Sequence, residues 1–214
     1  MESVQKPRPN LGEIAYQEIK EMILTGELEP GERIVLGNLS QLLNLSITPI
    51  RDALNKLAQE DLVIITPRTS HMVVKICEQD ARDIIDLRLT LETFALTSSG
   101  SSLADFPVDA FRAVFSEQGA HINHKQFLKA DTLFHESILA ISPNKRLPKL
   151  YSYLQNLIQV LSVQAIKVEG RMGSANDEHF AILDAIEEGD ITKVEQSLSY
   201  HFKQMRQALL KVID

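Results

Sequence analysis

The stretch from Leu36 to Leu62 constrains the fold most, because it holds two short amphipathic segments around a polar break at residues 44–47. Apolar residues in the second segment recur at the spacing of one helix face: Ile50, Ala53, Leu54, Leu57 and Ala58. Thr48 and Pro49 provide a helix start, with a hydroxyl that can cap free N–H groups and a proline at the first helical position. Two short helices with so short a turn indicate a helix-turn-helix, whose second helix can lie in a DNA major groove.

The flanking segments extend this motif into a winged helix. An apolar repeat with helical spacing occupies residues 12–25 and ends at Gly26. After the motif, the runs 62–66 and 72–76 are rich in β-branched and apolar residues and are separated by a turn, which is typical of a hairpin. Three helices followed by a two-stranded wing predict a winged helix-turn-helix over residues 1–76.

The rest of the chain has helical apolar spacing and no run that is typical of a strand. We predict about six helices there, at about 80–99, 105–119, 124–141, 144–169, 175–188 and 192–212. The expected fold class is therefore mainly α. It combines an N-terminal winged helix-turn-helix with a C-terminal all-helical bundle over residues 77–214, large enough to hold an internal cavity.

Composition limits the compartment and the partners. The single cysteine, Cys77, excludes an internal disulfide and suits a reducing cytosol. The apolar runs are too short to span a bilayer, so we expect a cytoplasmic protein without membrane contact. The net charge of −7 argues mildly against nucleic acid, so a DNA-binding surface requires local placement of basic residues.

Several runs of residues resemble one bacterial family in the same order. Residues 26–34 (GELEPGERI) and 46–54 (SITPIRDAL) resemble the opening and the recognition-helix signature of GntR-family transcription regulators. The second part resembles the FCD ligand-binding domain of the FadR subfamily, through Leu87-Arg88 with Glu92, residues 131–135 (DTLFH), residues 178–186 (EHFAILDAI) and His201. The resemblance implies a homodimeric transcription regulator, expected to be a repressor, that binds an inverted repeat in double-stranded DNA.

The resemblance places the residues that contact DNA on the recognition helix and the wing. Arg51 follows Ile50 and therefore points away from the buried stripe, on the side that Thr48 and Asn55 share. Arginine matches guanine edges or phosphate, and asparagine matches adenine. The predicted DNA-binding residues are Arg33, Thr48, Arg51, Asn55, Arg68 and His71.

The same region departs from the family pattern. Ile47 stands where an arginine is usual, residues 36–37 replace a polar or charged pair, and Asp61 replaces the glycine that ends the recognition helix. Of the signature arginines only Arg51 remains. Contact between Ile47 and a thymine methyl group would change the operator preference rather than abolish binding.

A metal site is the second implication of the resemblance. Asp131 and His135 are four residues apart and share one helix face, whereas His179 and His201 come from later helices. A carboxylate with three imidazoles suits a divalent transition metal such as Zn²⁺, Ni²⁺, Mn²⁺ or Fe²⁺. The alternative is that each histidine is an ordinary core or surface group.

Arg88 is the predicted effector-binding residue. In the resembling family this arginine faces the cavity, where it can pair with the carboxylate of a small organic acid. The alternative is an i,i+4 ion pair with Glu92 on the helix surface.

The predicted function is a regulator whose affinity for its operator is modulated by a small carboxylate effector, bound at or near the metal. Two other functions remain as alternatives. A metal-dependent hydrolase would use the same aspartate and histidines, but it needs a general base and an open coordination position. The sequence offers no further carboxylate at motif spacing, so we predict that the protein is not an enzyme. The other alternative is a helical interaction module that has lost DNA binding.

Overall fold

The computed structural model describes residues 10–66, 70–118 and 123–213. The chain divides into two compact units, Met1–Lys75 and Ile76–Asp214. Helices dominate both units, and the predicted combination of a winged helix-turn-helix with an all-helical bundle is confirmed. Within the described ranges, no helix is both long enough and apolar enough to cross a bilayer.

In residues 10–66 and 70–75, the first unit contains three helices and a small sheet. Its elements in chain order are α1 Leu11–Leu24, β1 Arg33–Ile34, α2 Leu36–Leu43, α3 Ile47–Gln59, β2 Val63–Thr66 and β3 Ser70–Val73. The side chain of Asn10 caps α1 by accepting hydrogen bonds from the backbone N–H groups of Gly12 and Glu13. The apolar stripe of α3 is buried as its spacing predicts, and α1 packs against that helix.

The recognition helix begins earlier than the sequence suggests. Ser46 is the N-cap and Ile47 the first helical residue, so Pro49 is the third rather than the first. Proline is tolerated there because the first N–H groups of a helix have no partner within it. The prediction that Thr48 caps the helix is therefore wrong, and its side chain is exposed. Asn44 ends α2 in the left-handed region, at φ +52°, and thereby turns the chain toward α3.

The wing contains a strand that the sequence analysis missed. β3 pairs antiparallel with both β1 and β2, in the order β1-β3-β2. The predicted second strand at 72–76 is shifted, because β3 begins at Ser70 and ends at Val73. β1 pairs Arg33 with Met72 and Ile34 with His71, which places Arg33 beside the wing. Of the turn predicted at residues 67–70, Ser70 is the first residue of β3, and residues 67–69 lie outside the described part of the chain.

The second unit contains seven α-helices and one 3₁₀ helix among its described residues. They are α4 Glu78–Ser98, the 3₁₀ helix Gly100–Asp105, α5 Val108–Gln118, α6 His124–Ala140, α7 Leu147–Ser152, α8 Gln155–Ile166, α9 Arg171–Glu187 and α10 Ile191–Leu209. The single helix predicted over residues 144–169 is wrong, since α7 and α8 divide it. The N–H groups of Tyr153 and Leu154 bond to carbonyls three residues earlier, so the α-helical pattern is interrupted there.

The interior of the second unit contains ionisable side chains as well as apolar ones. α10 packs against α4, α8 and α9, and α6 packs against α4 and α8. Eight residues that are charged residues or histidines are buried among the described part of these helices: Arg88, Glu92, Asp131, His135, Arg171, Glu178, His179 and His201. Because a buried ionisable group is unfavourable unless it is paired or binds a metal, this set marks the candidate site.

Candidate functional site

The four predicted metal ligands converge inside the helical unit. α6 supplies Asp131 and His135 one turn apart, α9 supplies His179, and α10 supplies His201. One potential ligand atom from each residue lies within 4.8 Å of the others, and all four residues are buried. The expected shared face of Asp131 and His135 is present, and it points into the core.

Several imidazole nitrogens in this cluster have no hydrogen-bond partner. His179 Nε2 lies 3.2 Å and His135 Nε2 lies 3.7 Å from Asp131 Oδ1. His135 Nε2 and both ring nitrogens of His179 nevertheless make no aligned hydrogen bond. A buried polar atom without a partner costs about 1–3 kcal/mol, and a coordinated metal removes that penalty. These unpaired nitrogens and the donor set together fit a divalent metal.

The electrostatics of the cluster favour the forms that bind metal. Burial lowers the pKa of His135 and of His201 well below the usual value, so both rings are neutral at neutral pH and retain a lone pair. Burial acts to raise the pKa of Asp131, but His179, His135 and Arg88 outweigh it and hold the pKa well below its usual range. The cluster therefore combines one anionic ligand, Asp131, with the neutral imidazoles of His135 and His201.

Phenylalanine rings surround the imidazoles. The ring of Phe115 stacks on His179 with the centroids 4.7 Å apart. Phe134 lies against both His135 and His179, at centroid distances of 5.1 Å and 5.0 Å. An apolar wall of this kind excludes water and strengthens electrostatic interactions inside the site.

Two carboxylates that the sequence analysis did not assign to the metal site hold its histidines. Glu92 Oε2 lies 2.6 Å from His135 Nδ1, and Glu178 Oε2 lies 2.7 Å from His201 Nδ1. Burial raises the pKa of Glu92 to about 7, while Arg88 acts to lower it. The position of Glu92 four residues after Arg88 is the one sequence signal that could have identified it.

Arg88 forms the ion pair with Glu92 that one prediction named, and it faces the interior as the other prediction required. Its Nε donates to Glu92 Oε1 over 2.9 Å, so the i,i+4 ion pair exists. The expectation of a surface pair is wrong, because α10 covers this face of α4 and the arginine is 1% exposed. Its Nη2 lies 4.0 Å from Asp131 Oδ2, and the guanidinium lies over the ring of Phe202. The inward-facing guanidinium is therefore adjacent to the cluster of Asp131 and the three histidines.

A second candidate surface lies on the winged helix. Arg33, Arg51 and His71 line one groove of about 530 Å³, so the structure brings three of the six predicted DNA-binding residues together. Thr66 and Ser70 also line this groove and were not predicted. Burial lowers the pKa of His71, and the charge of Arg51 lowers it further.

Two of the other predicted DNA-binding residues, Thr48 and Asn55, do not line this groove. Thr48 and Asn55 are exposed on α3, on the side away from its buried stripe. Arg68 lies outside the described residues. Apolar residues also line the groove, among them Val35, Leu36 and Ile65. Its basic and hydroxyl groups are of the kinds that contact phosphate and base edges.

A winged helix-turn-helix with a basic groove, followed by a helical unit with a buried aspartate and histidine cluster, defines the class of two-domain transcription regulators. Residues 11–73 match the model of the bacterial regulatory proteins of the gntR family, and residues 83–204 match the model of the FCD domain. The chain therefore belongs to the GntR family of DNA-binding transcription regulators and contains an FCD domain. The predicted family resemblance is confirmed.

Known relatives agree with this assignment. The chain is 23% identical to YdhC, an HTH-type transcriptional regulator of Bacillus subtilis, over 99% of this chain and 96% of YdhC. It is 25% identical to the gluconate operon transcriptional repressor of Bacillus licheniformis, over 78% of this chain and 69% of the repressor. The families and relatives are transcription regulators rather than enzymes, which removes the hydrolase alternative.

Solved structures share the fold. The Escherichia coli protein McbR/YncC superposes with a TM-score of 0.74 at 19% identity, covering 95% of this chain and 99% of that one. The metal-free FCD domain of TM0439 superposes with a TM-score of 0.57 at 20% identity, covering 63% of this chain and 94% of the domain.

Proposed function

We propose that the protein is a cytoplasmic, homodimeric transcription repressor that binds an inverted-repeat operator. Its affinity for DNA responds to a small carboxylate effector bound at or near a divalent metal. The observation that carries the proposal is the position of the buried Arg88, whose Nη2 lies 4.0 Å from the Asp131 carboxylate. This arrangement combines a set of metal donors with a cation that can pair with an acid.

The metal would be held by Asp131, His135, His179 and His201, whose donor atoms suit Zn²⁺, Ni²⁺, Mn²⁺ or Fe²⁺. When bound, such an ion acts as a Lewis acid that attracts a carboxylate oxygen. Arg88 presents its guanidinium to the same region and provides charge-assisted hydrogen bonds to an acid. An acid that prefers one conformation of the dimer then shifts the operator equilibrium by its difference in affinity.

Dimerisation is proposed through α4. Leu87 and Phe94 are seven residues apart and therefore lie on one face of this helix, where they are 51% and 46% exposed. Leu91 lies between them on the same face and is half-buried. A second copy of the chain would cover this apolar stripe and provide the second recognition helix that an inverted repeat requires.

The experiment that tests DNA recognition is selection of bound duplexes from a random DNA pool. We expect the wild-type protein to enrich an inverted repeat. Arg51→Ala is expected to weaken binding to that sequence by about 1–3 kcal/mol if the arginine reads guanine, and to reduce the salt slope by about one if it contacts phosphate.

Lys20→Ala is the matched control, because Lys20 forms an ion pair with Glu60 at 2.7 Å and does not line the groove. It removes the same charge from the same unit and is expected to preserve binding. Failure of the wild-type protein to enrich any sequence would contradict the proposal and favour a helical interaction module that has lost DNA binding.

A further inference from the structure

Two of the cluster histidines are each held by a buried glutamate, and each glutamate is held by a buried arginine. The first chain of contacts is Arg88 to Glu92 to His135. The second is Arg171 to Glu178 to His201, formed entirely within α9 and α10. Such outer contacts orient metal-binding imidazoles and select the tautomer that leaves the correct nitrogen free.

The second chain of contacts has the more definite geometry. Arg171 Nη1 donates to Glu178 Oε1 over 3.0 Å, and Nη2 donates to Oε2 over 2.9 Å. A bidentate arginine pair of this kind fixes the plane of the carboxylate. Burial raises the pKa of Glu178, while Arg171 acts to lower it. Because both oxygens of Glu178 already accept hydrogen bonds from Arg171, the carboxylate acts as an acceptor toward His201 as well. This geometry favours a proton on His201 Nδ1, 2.7 Å from Glu178 Oε2. The lone pair of His201 is then on Nε2.

The local sequence explains how this chain of contacts forms. Gly170 adopts φ +76° at the start of α9, which lets Arg171 begin the helix. Arg171 and Glu178 are seven residues apart and therefore share one helix face, two turns apart. Glu178 also lines a groove of about 470 Å³ together with Ser174, Asp177, Ala181, Gln196, Ser197 and Tyr200.

We propose that Glu178, fixed by Arg171, is a positioning residue of the metal centre that sets the tautomer and orientation of His201. The inference rests on the proposed metal-binding function. Glu178 does not bind the metal itself, and its effect passes through His201. Loss of such an outer partner typically weakens metal binding by about 10–100-fold.

The first test needs neither a substitution nor a metal. In metal-free wild-type protein, nuclear magnetic resonance spectra that correlate imidazole protons with ring nitrogens report the tautomer of each histidine. We expect His201 to be protonated on Nδ1 and unprotonated on Nε2. Protonation on Nε2 alone would overturn the proposal.

The second test measures Zn²⁺ affinity by competition with a chromophoric chelator. Glu178→Gln is expected to lower the affinity about 10–100-fold. Asp177→Asn is the matched control, because it removes a neighbouring carboxylate from the same groove but leaves the contact between Glu178 and His201 intact. It is expected to bind Zn²⁺ as the wild type does.

The outcomes separate the two proposals. Equal Zn²⁺ affinity in Glu178→Gln and wild type would overturn the role of Glu178 and leave the metal site standing. Absence of Zn²⁺ binding in the wild type would overturn both. Thermal unfolding of each protein with and without Zn²⁺ distinguishes a general loss of stability from the specific effect. A general loss lowers the Tm of the metal-free protein, whereas the specific effect reduces the increase in Tm that zinc produces.

Discussion

His179 provides the sharpest test of the metal site, because it is the only member of the cluster that α9 contributes. We consider His179→Leu, which has a similar volume and no polar atom. At a free metal concentration about 100 times Kd, binding stabilises the native state by about 2.7 kcal/mol. In a unit the size of Ile76–Asp214, about 1 kcal/mol corresponds to roughly 3–5 °C, so metal should raise the wild-type Tm by about 10 °C.

The variant keeps three of the four donors. If it binds the metal about 100-fold more weakly, the same metal concentration stabilises it by only about 0.4 kcal/mol, or roughly 1–2 °C. Circular dichroism at increasing temperature, with either a chelator or excess Zn²⁺ or Ni²⁺, measures both increments. The absolute Tm of the metal-free variant does not enter the comparison, so a change in core packing does not obscure the result.

His124→Leu is the matched control, since His124 is the exposed first residue of α6 and lies outside the cluster. It should keep the full metal-dependent increment. An equal increment in His179→Leu and wild type would refute the assignment of His179 as a ligand. No increment in any of the three proteins, even after reconstitution, would refute the metal site itself.

Three further predictions concern the effector, the dimer and the recognition helix. Arg88→Lys keeps the positive charge but loses the two-pronged guanidinium group. Isothermal titration with a panel of small organic acids should therefore show about 10–100-fold weaker binding. Equal affinities in the variant and the wild type would exclude Arg88 as an effector-binding residue. Light scattering should show that Leu87→Glu converts the dimer into a monomer. Leu133→Glu, which changes an exposed apolar residue on α6, should remain a dimer. If both variants are dimers, the proposed α4 interface is contradicted. Asp61 has φ +58°, a conformation that glycine adopts more readily than aspartate. Chemical denaturation should therefore show that Asp61→Gly raises the free energy of unfolding by up to about 1 kcal/mol, and a lower free energy of unfolding would contradict this.

The parts that the sequence predicted well are those encoded by local periodicity. The spacing of apolar residues in α3 predicted which of its residues are buried. The interval of four residues between Asp131 and His135 predicted that they share one helix face. Convergence of His179 and His201 on that face depends on how three helices pack, which periodicity does not contain. The family resemblance supplied that part of the prediction.

The parts that were missed depend on tertiary contacts or on very short elements. β1 has two residues, too few to show an alternating pattern, and it exists because β3 pairs with it. The break between α7 and α8 has no glycine or proline at Tyr153-Leu154, and the apolar spacing continues through it. Glu92 contacts His135 and Glu178 contacts His201, and each of these contacts joins two different helices. The spacing of Glu92 from Arg88 indicated an ion pair, but the contacts with the histidines depend on how the helices pack.

The recognition helix has its buried packing residues on one side and its exposed residues on the other. This separation affects how the DNA specificity of such a protein can evolve. Ile50, Leu54 and Leu57 hold the helix in place, while Ile47 is 45% exposed beside Arg51 and takes no part in that packing. Under the proposed mode of DNA recognition, a mutation on the exposed side would change which bases are contacted and leave the stability of the domain almost unchanged. After gene duplication, one copy can acquire a different operator through single substitutions without passing through an unfolded intermediate sequence.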